Sequence, residues 1–455
     1  MESLVPLSDD WRPAKTEVTP LAKADWPLIG LIAASLVVDL AIFLYVCVAG
    51  FVRQPYSDMF DFLRAEFDLE RTGALLGYLA SPHNHQHLVW VRVLTAIDVQ
   101  TFHGTGIIFL VSAALAILVG AAVVGLEIWQ ATSVRVVGAI GALLAAALVV
   151  STVNAMDVTQ PINSVYAIAF GFAVLAVVFF ERAGADMPGR GILPAILALA
   201  AGLAATAGSA AGVAVFPVLL ISAVRHPSSR ALIAPTLVVG LAAIGVVLAA
   251  LLAAAPAHPA GGGMAHLWKM ADYFVVYAGM PWSSVRFLSR LRLGLGLLTI
   301  AVGAVLLWRG PRREGAEGRL ERVGLDLILF ALATAAMAAL GRSDENEAVI
   351  VPVRYAVFMS AFQAGLICVL APVIAERWAG LKRPALAGAL VLSVALLAQQ
   401  VAAGASVLRT SQFIRGEIAA FAAGQRRADM RQLIHPDFGI AAQVQAECRR
   451  RGLYQ

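Results

Sequence analysis

At 455 residues, 60% hydrophobic and only 14% charged, with a mean hydropathy of +0.80, the chain is too apolar for a water-soluble globular protein. The net charge of +5 does not call for nucleic acid, because the arginines fall in short segments between apolar runs, where membrane topology accounts for them. Cys47, Cys368 and Cys448 offer neither a disulfide framework nor a metal-ligand spacing.

Residues 1–26 carry Asp9, Asp10 and Glu17 among Pro6, Pro13 and Pro20, unlike the basic start and cleavage site of a signal peptide, and read as a short cytoplasmic tail. Apolar stretches then recur over 27–408. A bilayer core of about 30 Å takes about 20 such residues per helix. The spacing predicts about eleven spans, at 27–51, 105–129, 134–152, 162–180, 191–207, 211–224, 231–255, 291–308, 323–340, 355–375 and 384–408. Long Ala/Leu/Val runs without two-residue alternation exclude a barrel, so the fold class is all-α, a polytopic transmembrane helix bundle. The fifth and sixth spans are short and could together form a re-entrant pair. Small residues such as the alanines of 331–339 suit close helix packing.

Every second connection is basic, at Arg135, at Arg182 and Arg190, at Arg225 and Arg230, through 309–322, and at Arg377, Lys382 and Arg383. The positive-inside rule makes those connections cytoplasmic. The polar segments 52–104, 153–161, 208–210, 256–290, 341–354 and 409–455 are then external, as on the periplasmic face of a bacterial inner membrane. Within the spans ionisable residues read as scarce apart from Asp39, which at that depth is a functional suspect or an interhelical hydrogen-bonding group.

The densest chemistry follows the first span. Phe60, Leu63 and Phe67 recur at helical spacing against Asp61, Arg64, Asp68 and Arg71, predicting an amphipathic helix at the membrane surface. A second is predicted over 88–102, with Val89, Trp90, Val93, Leu94 and Ile97 set against Arg92, Asp98 and Gln100. Between them, His83, His85 and His87 alternate in a polar link, a spacing that could hold a divalent metal or simply a hydrogen-bonded loop. Asp58 and Asp61 lie three apart and share a helix face, with Ser57 placed to cap the helix.

Tyr56, Ser57, Asp58, Met59, Phe60 and Asp61, at the outer end of the first span and ahead of two interfacial helices, resemble the start of the GT-C fold of integral-membrane glycosyltransferases. A second likeness to bacterial membrane proteins of that type lies in Gly341 and Arg342 followed by Arg354 and Tyr355; their Asn-Glu-His-Arg run reads Asn84, His85, Gln86, His87 here. The resemblance implies a 27–408 transmembrane domain acting on a polyprenyl-phosphate-linked sugar donor and a glycan or lipid acceptor. It implies Asp58 as catalytic acid residue, with Asp61 next. Some such enzymes use a divalent metal held by acids and others none, so no cofactor is certain.

The chemistry agrees with that assignment of roles. A carboxylate at the outer surface can take the acceptor's proton, and guanidinium forks match phosphate oxygens, which makes Arg342 and Arg354 phosphate ligands, with Lys269 a weaker third. Tyr56, His85, His87, Asp157 and Tyr355 complete the expected substrate contacts, and Trp268, Tyr273 and Trp282 suit a sugar platform or an aromatic belt. The 409–455 tail, with Phe413, Ile414, Ile418 and Phe421 on one helical face, is expected to cap the external surface or meet a partner or membrane lipid. Alternatives are an envelope glycan polymerase or ligase, a membrane acyltransferase dependent on the histidine loop, and a transporter dependent on Asp39.

Overall fold

A computed structural model describes residue 23 and residues 26–83, 87–185, 191–225, 227–254, 264–282, 291–342 and 353–454. Among them there is no β-strand. The helices are α1 (Trp26–Gly50), α2 (Met59–Thr72), α3 (Leu75–Ala80), α4 (Val89–Thr101), α5 (Ile107–Ala131), α6 (Arg135–Val149), the single turn α7 (Met156–Thr159), α8 (Ser164–Ala185) and α9 (Ile192–Gly208). They continue as α10 (Val215–Arg225), α11 (Ile233–Ala254), α12 (Met264–Ala278), α13 (Arg292–Arg309), α14 (Gly315–Arg342), α15 (Ala356–Glu376), α16 (Trp378–Ala422) and α17 (Phe438–Arg450).

Nine described helical segments are long and apolar enough to cross a membrane. The two short predicted spans are shorter apolar helices, Ile192–Gly208 and Ala210–Arg225. Outward-facing Val111, Leu115, Val238, Leu241, Leu297 and Val391 are each more than half exposed, an apolar surface suited to lipid. The chain is a multi-pass, all-helical membrane protein.

Inside the bundle α8 packs between α5 and α9, α14 against α15, and α1 against α16. Small residues permit the closest of these approaches. A Cβ on Gly324 would stand 2.6 Å from the carbonyl oxygen of Gly365, and one on Gly365 2.5 Å from that of Gly324, so α14 and α15 meet nearly backbone to backbone.

The spans hold more charge than the sequence suggested. Besides Asp39, buried with Oδ1 lacking a hydrogen bond among the described residues, Glu127, Glu181 and Asp326 are buried near one end of the bundle. Arg182 donates to Glu127 at 2.6 Å and Arg322 to Glu181 at 2.6 Å, while Ser222 gives Glu181 a further 2.6 Å bond and Arg319 stands 3.5 Å from Glu127. Glu127 and Glu181 are each offset by an arginine from a different helix.

At the opposite end, a second core joins the segment after α1 to the C-terminal one. Tyr56, Phe60, Leu63 and Phe67 pack with Ile414, Ile418, Phe421, Met430 and Ile434. The bridge is α16, 45 residues and about 68 Å at 1.5 Å per residue, more than twice the hydrocarbon thickness. No proline follows Pro384 until Pro436, so nothing stops it at the membrane surface. Arg415 on this extension donates to the carbonyls of Ala49 at 2.6 Å and Phe51 at 2.8 Å, satisfying the orphan end of α1.

This roof corrects the expected orientation of α4. Its polar face is not turned to water: Arg92 and Asp98 are buried. Arg92 lies over the rings of Phe62 (5.3 Å) and Tyr78 (5.2 Å) and donates to the carbonyl of Ser81 at 3.0 Å. Asp98 accepts the amide of Gly106 at 2.9 Å, at a turn where φ is +71° and a Cβ would lie 2.8 Å from the Phe51 ring. Burial, eased by Tyr454 and that amide, raises the Asp98 carboxyl to about 6. Amphipathic spacing alone does not distinguish a helix lying on lipid from one lying under protein.

Candidate functional site

The two aspartates after α1 project into a polar cluster at the start of α2. Ser57 precedes them with φ +51°, a left-handed conformation that costs a non-glycine residue about 1 kcal/mol or more. Its amide donates to the carbonyl of Ile434 at 2.6 Å, so the C-terminal segment holds the strained residue in place. The consequence falls on Asp58. Asp58, not Ser57, occupies the N-cap of α2, yet its carboxylate makes no capping bond and instead faces His83, with Oδ2 3.2 Å from Nε2.

Asp61, one turn on, faces a second histidine from the far end of the chain. His435 Nε2 stands 3.3 Å from Asp61 Oδ2, while its Nδ1 meets the amide and carbonyl of Asp437 at 3.1 and 2.8 Å. The ring is buried and packs edge-on to Phe60 at 6.2 Å between centroids. Two carboxylate–imidazole pairs thus lie side by side. Asp58, Asp61 and His83 can each present a ligand atom within 4.8 Å of the others, a hard-oxygen and imidazole set that could hold a divalent cation.

Arg354 links this layer to the bundle. It lies between α14 and α15, two residues before the latter, with its guanidinium 5.8 Å from the Tyr166 ring centroid and 5.5 Å from that of Tyr355. Arg342, the last residue of α14, lies 5.7 Å from the same Tyr355 ring. Tyr355 in turn stacks on Tyr277 at 5.8 Å and meets Tyr166 edge-on at 5.3 Å. Aromatic faces thus fix both arginines, at the end of α14 and just before the start of α15.

Electrostatics ties the parts together. Burial would raise the Asp58 carboxyl, but the hydrogen bond and charge of His83, followed by the charges of Arg354 and His435, outweigh it and hold the group below the usual carboxylate value. Burial, partly opposed by Arg354, pushes the Tyr56 phenol up and keeps it protonated. On the inner side of Arg354 lies Asp157, fully buried on α7 and also within the field of the guanidinium.

Several buried polar groups of these segments are unsatisfied. The Tyr56 hydroxyl, both Asp157 carboxylate oxygens, Thr159 Oγ1, Ser164 Oγ and Arg354 Nε are buried without a hydrogen bond among the described residues. Buried polar atoms at this density call for water or a bound polar group. The irregular 151–164 connection, folded back inside the bundle, supplies most of them.

Tyr56, Asp58, Asp61, Asp157, Arg342, Arg354 and Tyr355 therefore belong to one connected arrangement. Lys269 is half-buried on α12, two turns before Tyr277, and makes no ion pair among the described residues. His87 is half-buried ahead of α4 and pairs with no acid there, and His85 lies outside the described residues, as do 1–22, 283–290 and 343–352. Of the three alternating histidines it is His83 that meets Asp58. His435, Tyr166 and Tyr277 carried no sequence signal, being single residues in segments read as tail, span and belt.

No family profile, no curated protein and no solved structure matches this chain.

Proposed function

We propose that the protein is a membrane glycosyltransferase, moving a sugar from a polyprenyl-phosphate carrier to an envelope glycan or lipid acceptor, with Asp58 as general base. One observation carries this reading: a carboxylate held ionised at the outer end of the first span, beside an arginine that is fixed by tyrosines, in segments that hold unsatisfied buried polar groups. A base and a phosphate ligand at one membrane surface are what such a transfer requires.

In the proposed step Asp58 takes the proton of the acceptor hydroxyl as its oxygen bonds to the anomeric carbon. The bond from that carbon to the phosphate oxygen breaks, its electron pair leaves with the polyprenyl phosphate, and the configuration inverts. His83 and Asp61 orient Asp58, while Arg354 and Arg342 receive the charge that builds on the departing phosphate. An apolar cavity of about 270 Å³ between α4, α5 and α8, lined by Trp90, Leu94, Leu115, Ile168 and Phe172, fits part of a polyprenyl tail. A divalent cation on Asp58, Asp61 and His83 would add positive charge for the phosphate.

The test is transfer by purified protein in lipid across a panel of polyprenyl-phosphate sugars, wild type against Asp58→Asn, with and without chelator. Removal of a general base costs about 10²- to 10⁴-fold in kcat. Equal turnover by the variant would remove Asp58 from the chemistry, and no turnover by wild type with any donor would overturn the glycosyltransferase reading.

A further inference from the structure

On the face opposite the Asp58 site, α13, α14 and α15 diverge around a cavity of about 650 Å³. The helix that connects the two faces is α15, which begins beside Tyr355 and ends at Glu376; its 21 residues span about 30 Å, the thickness of the hydrocarbon core. The cavity therefore lies at headgroup depth in the other leaflet. Its floor is apolar, formed by Leu306, Leu325, Val369 and Val373, and its rim is charged.

The rim charges are unequally committed. Arg313 spans the glutamates, 2.5 Å from Glu376, 3.7 Å from Glu321 and 3.9 Å from Glu317. Glu321 also accepts the amides of Arg312 and Arg313 at 2.9 and 3.2 Å, and Glu317 that of Ser133 at 3.0 Å. Three of the four acids lining the cavity are thus taken up by protein donors. The guanidiniums of Arg309, Arg312 and Arg377, by contrast, are exposed at the rim and pair with no carboxylate among the described residues, with Glu314 the one uncommitted acid beside them.

We infer that this cavity binds the phosphate group of a phospholipid from the adjoining leaflet, held by Arg309, Arg312 and Arg377 with the upper acyl chain on the apolar floor. Three uncommitted forks around one opening match a phosphate in charge and in hydrogen-bonding geometry. The apolar floor favours a lipid-borne phosphate over a soluble one, because inorganic phosphate gains nothing from Leu325 or Val369. The acids already held by Arg313 keep the rim rigid and the three arginines apart.

The experiment uses full-length protein delipidated in detergent and titrated with phosphatidylglycerol or phosphatidylethanolamine, followed by native mass spectrometry, with inorganic phosphate as a separate arm. The Arg309→Gln/Arg312→Gln variant is expected to bind either lipid about 30-fold more weakly, at roughly a fivefold loss per arginine near the membrane surface. Arg53→Gln, an exposed arginine on the other face, is expected to bind as wild type. Thermal unfolding checks that each variant is folded, and Arg377→Gln provides an independent single substitution. Unchanged lipid binding by folded Arg309→Gln/Arg312→Gln and Arg377→Gln would overturn the site. Inorganic phosphate displacing the lipid at equal concentration would reassign the cavity to a soluble phosphate.

Discussion

The two ends of this bundle both bury charge, and they treat it differently. At the inner layer Glu127 and Glu181 each meet an arginine from another helix, and Ser222 takes up a further oxygen. Among the described residues Glu127 Oε2, which has Arg319 at 3.5 Å, Arg319 Nε and Asp326 Oδ2 are the atoms there without a hydrogen bond. At the outer layer Tyr56 and Asp157, both within the field of Arg354, have side-chain oxygens without a hydrogen bond among the described residues, as do Thr159 and Ser164. An ion pair that is complete in the protein alone holds helices together; one that is incomplete implies that something else completes it. The same residue types thus tie helices together at one end and, in the function proposed, receive a ligand at the other.

Breaking the inner layer should produce the largest effect. Arg322→Ala leaves Glu181 buried without its guanidinium and is expected to cost about 3–5 kcal/mol, read as a fall in thermal stability in lipid. A change under 1 kcal/mol would mean that the inner charges are not fasteners at all. In the outer layer, Arg354→Lys keeps the charge and loses the planar fork stacked on Tyr166 and Tyr355, so transfer should drop about 100-fold with the unfolding temperature nearly unchanged. Loss of stability instead of turnover would place Arg354 with the fasteners.

A pH series sharpens the contrast through Asp98. Its folded carboxyl, raised to about 6, lies above the ordinary value of 3.8, so this group's contribution to stability is fully present below the ordinary value and is lost as pH rises through 6. The loss from this group is about 2–3 kcal/mol at neutral pH, and Asp98→Asn should flatten that part of the stability profile. An unaltered profile in the variant would show that Asp98 is not the titrating group. Asp58 has the opposite sign: its depressed carboxyl stays ionised until pH falls below the usual carboxylate range, so a base-dependent rate should hold through neutral and mildly acidic pH. The smallest effect is expected at His435→Gln, about five- to tenfold in turnover, with a shift of the acidic limb of the rate profile toward higher pH as the imidazole charge near Asp58 is lost. A stability loss with an unmoved profile would make His435 a packing residue.

The membrane-spanning helices were legible from hydropathy alone, and so was the concentration of acids and histidines behind the first span. Asp58 and Asp61 were readable because they sit on one short segment, where spacing fixes a shared face. The orientation of α4 was not, because Arg92 and Asp98 look like a solvated face until Phe62 and Tyr78 cover the one and Gly106 and Tyr454 bind the other. Ser57 resembles a capping serine by composition, but its positive φ follows from a contact with Ile434 that no local pattern encodes. Glu127 and Glu181 were obscured for a related reason: their partners Arg182, Arg319 and Arg322 looked like connecting-segment charges that set topology, a role they can fill while also pairing inward.

The contact of His435 with Asp61 also has a consequence in time. Ribosomes add about 5–20 residues per second, so His435 and Ile434 emerge about 20–75 s after Asp58 has been synthesised. Until they arrive, Ser57 lacks the Ile434 carbonyl that holds its backbone and Asp61 lacks the His435 imidazole. A nascent or prematurely terminated chain would thus sit in the membrane with its acids present but unpoised, and the finished arrangement would form only on chains whose C-terminal segment has docked.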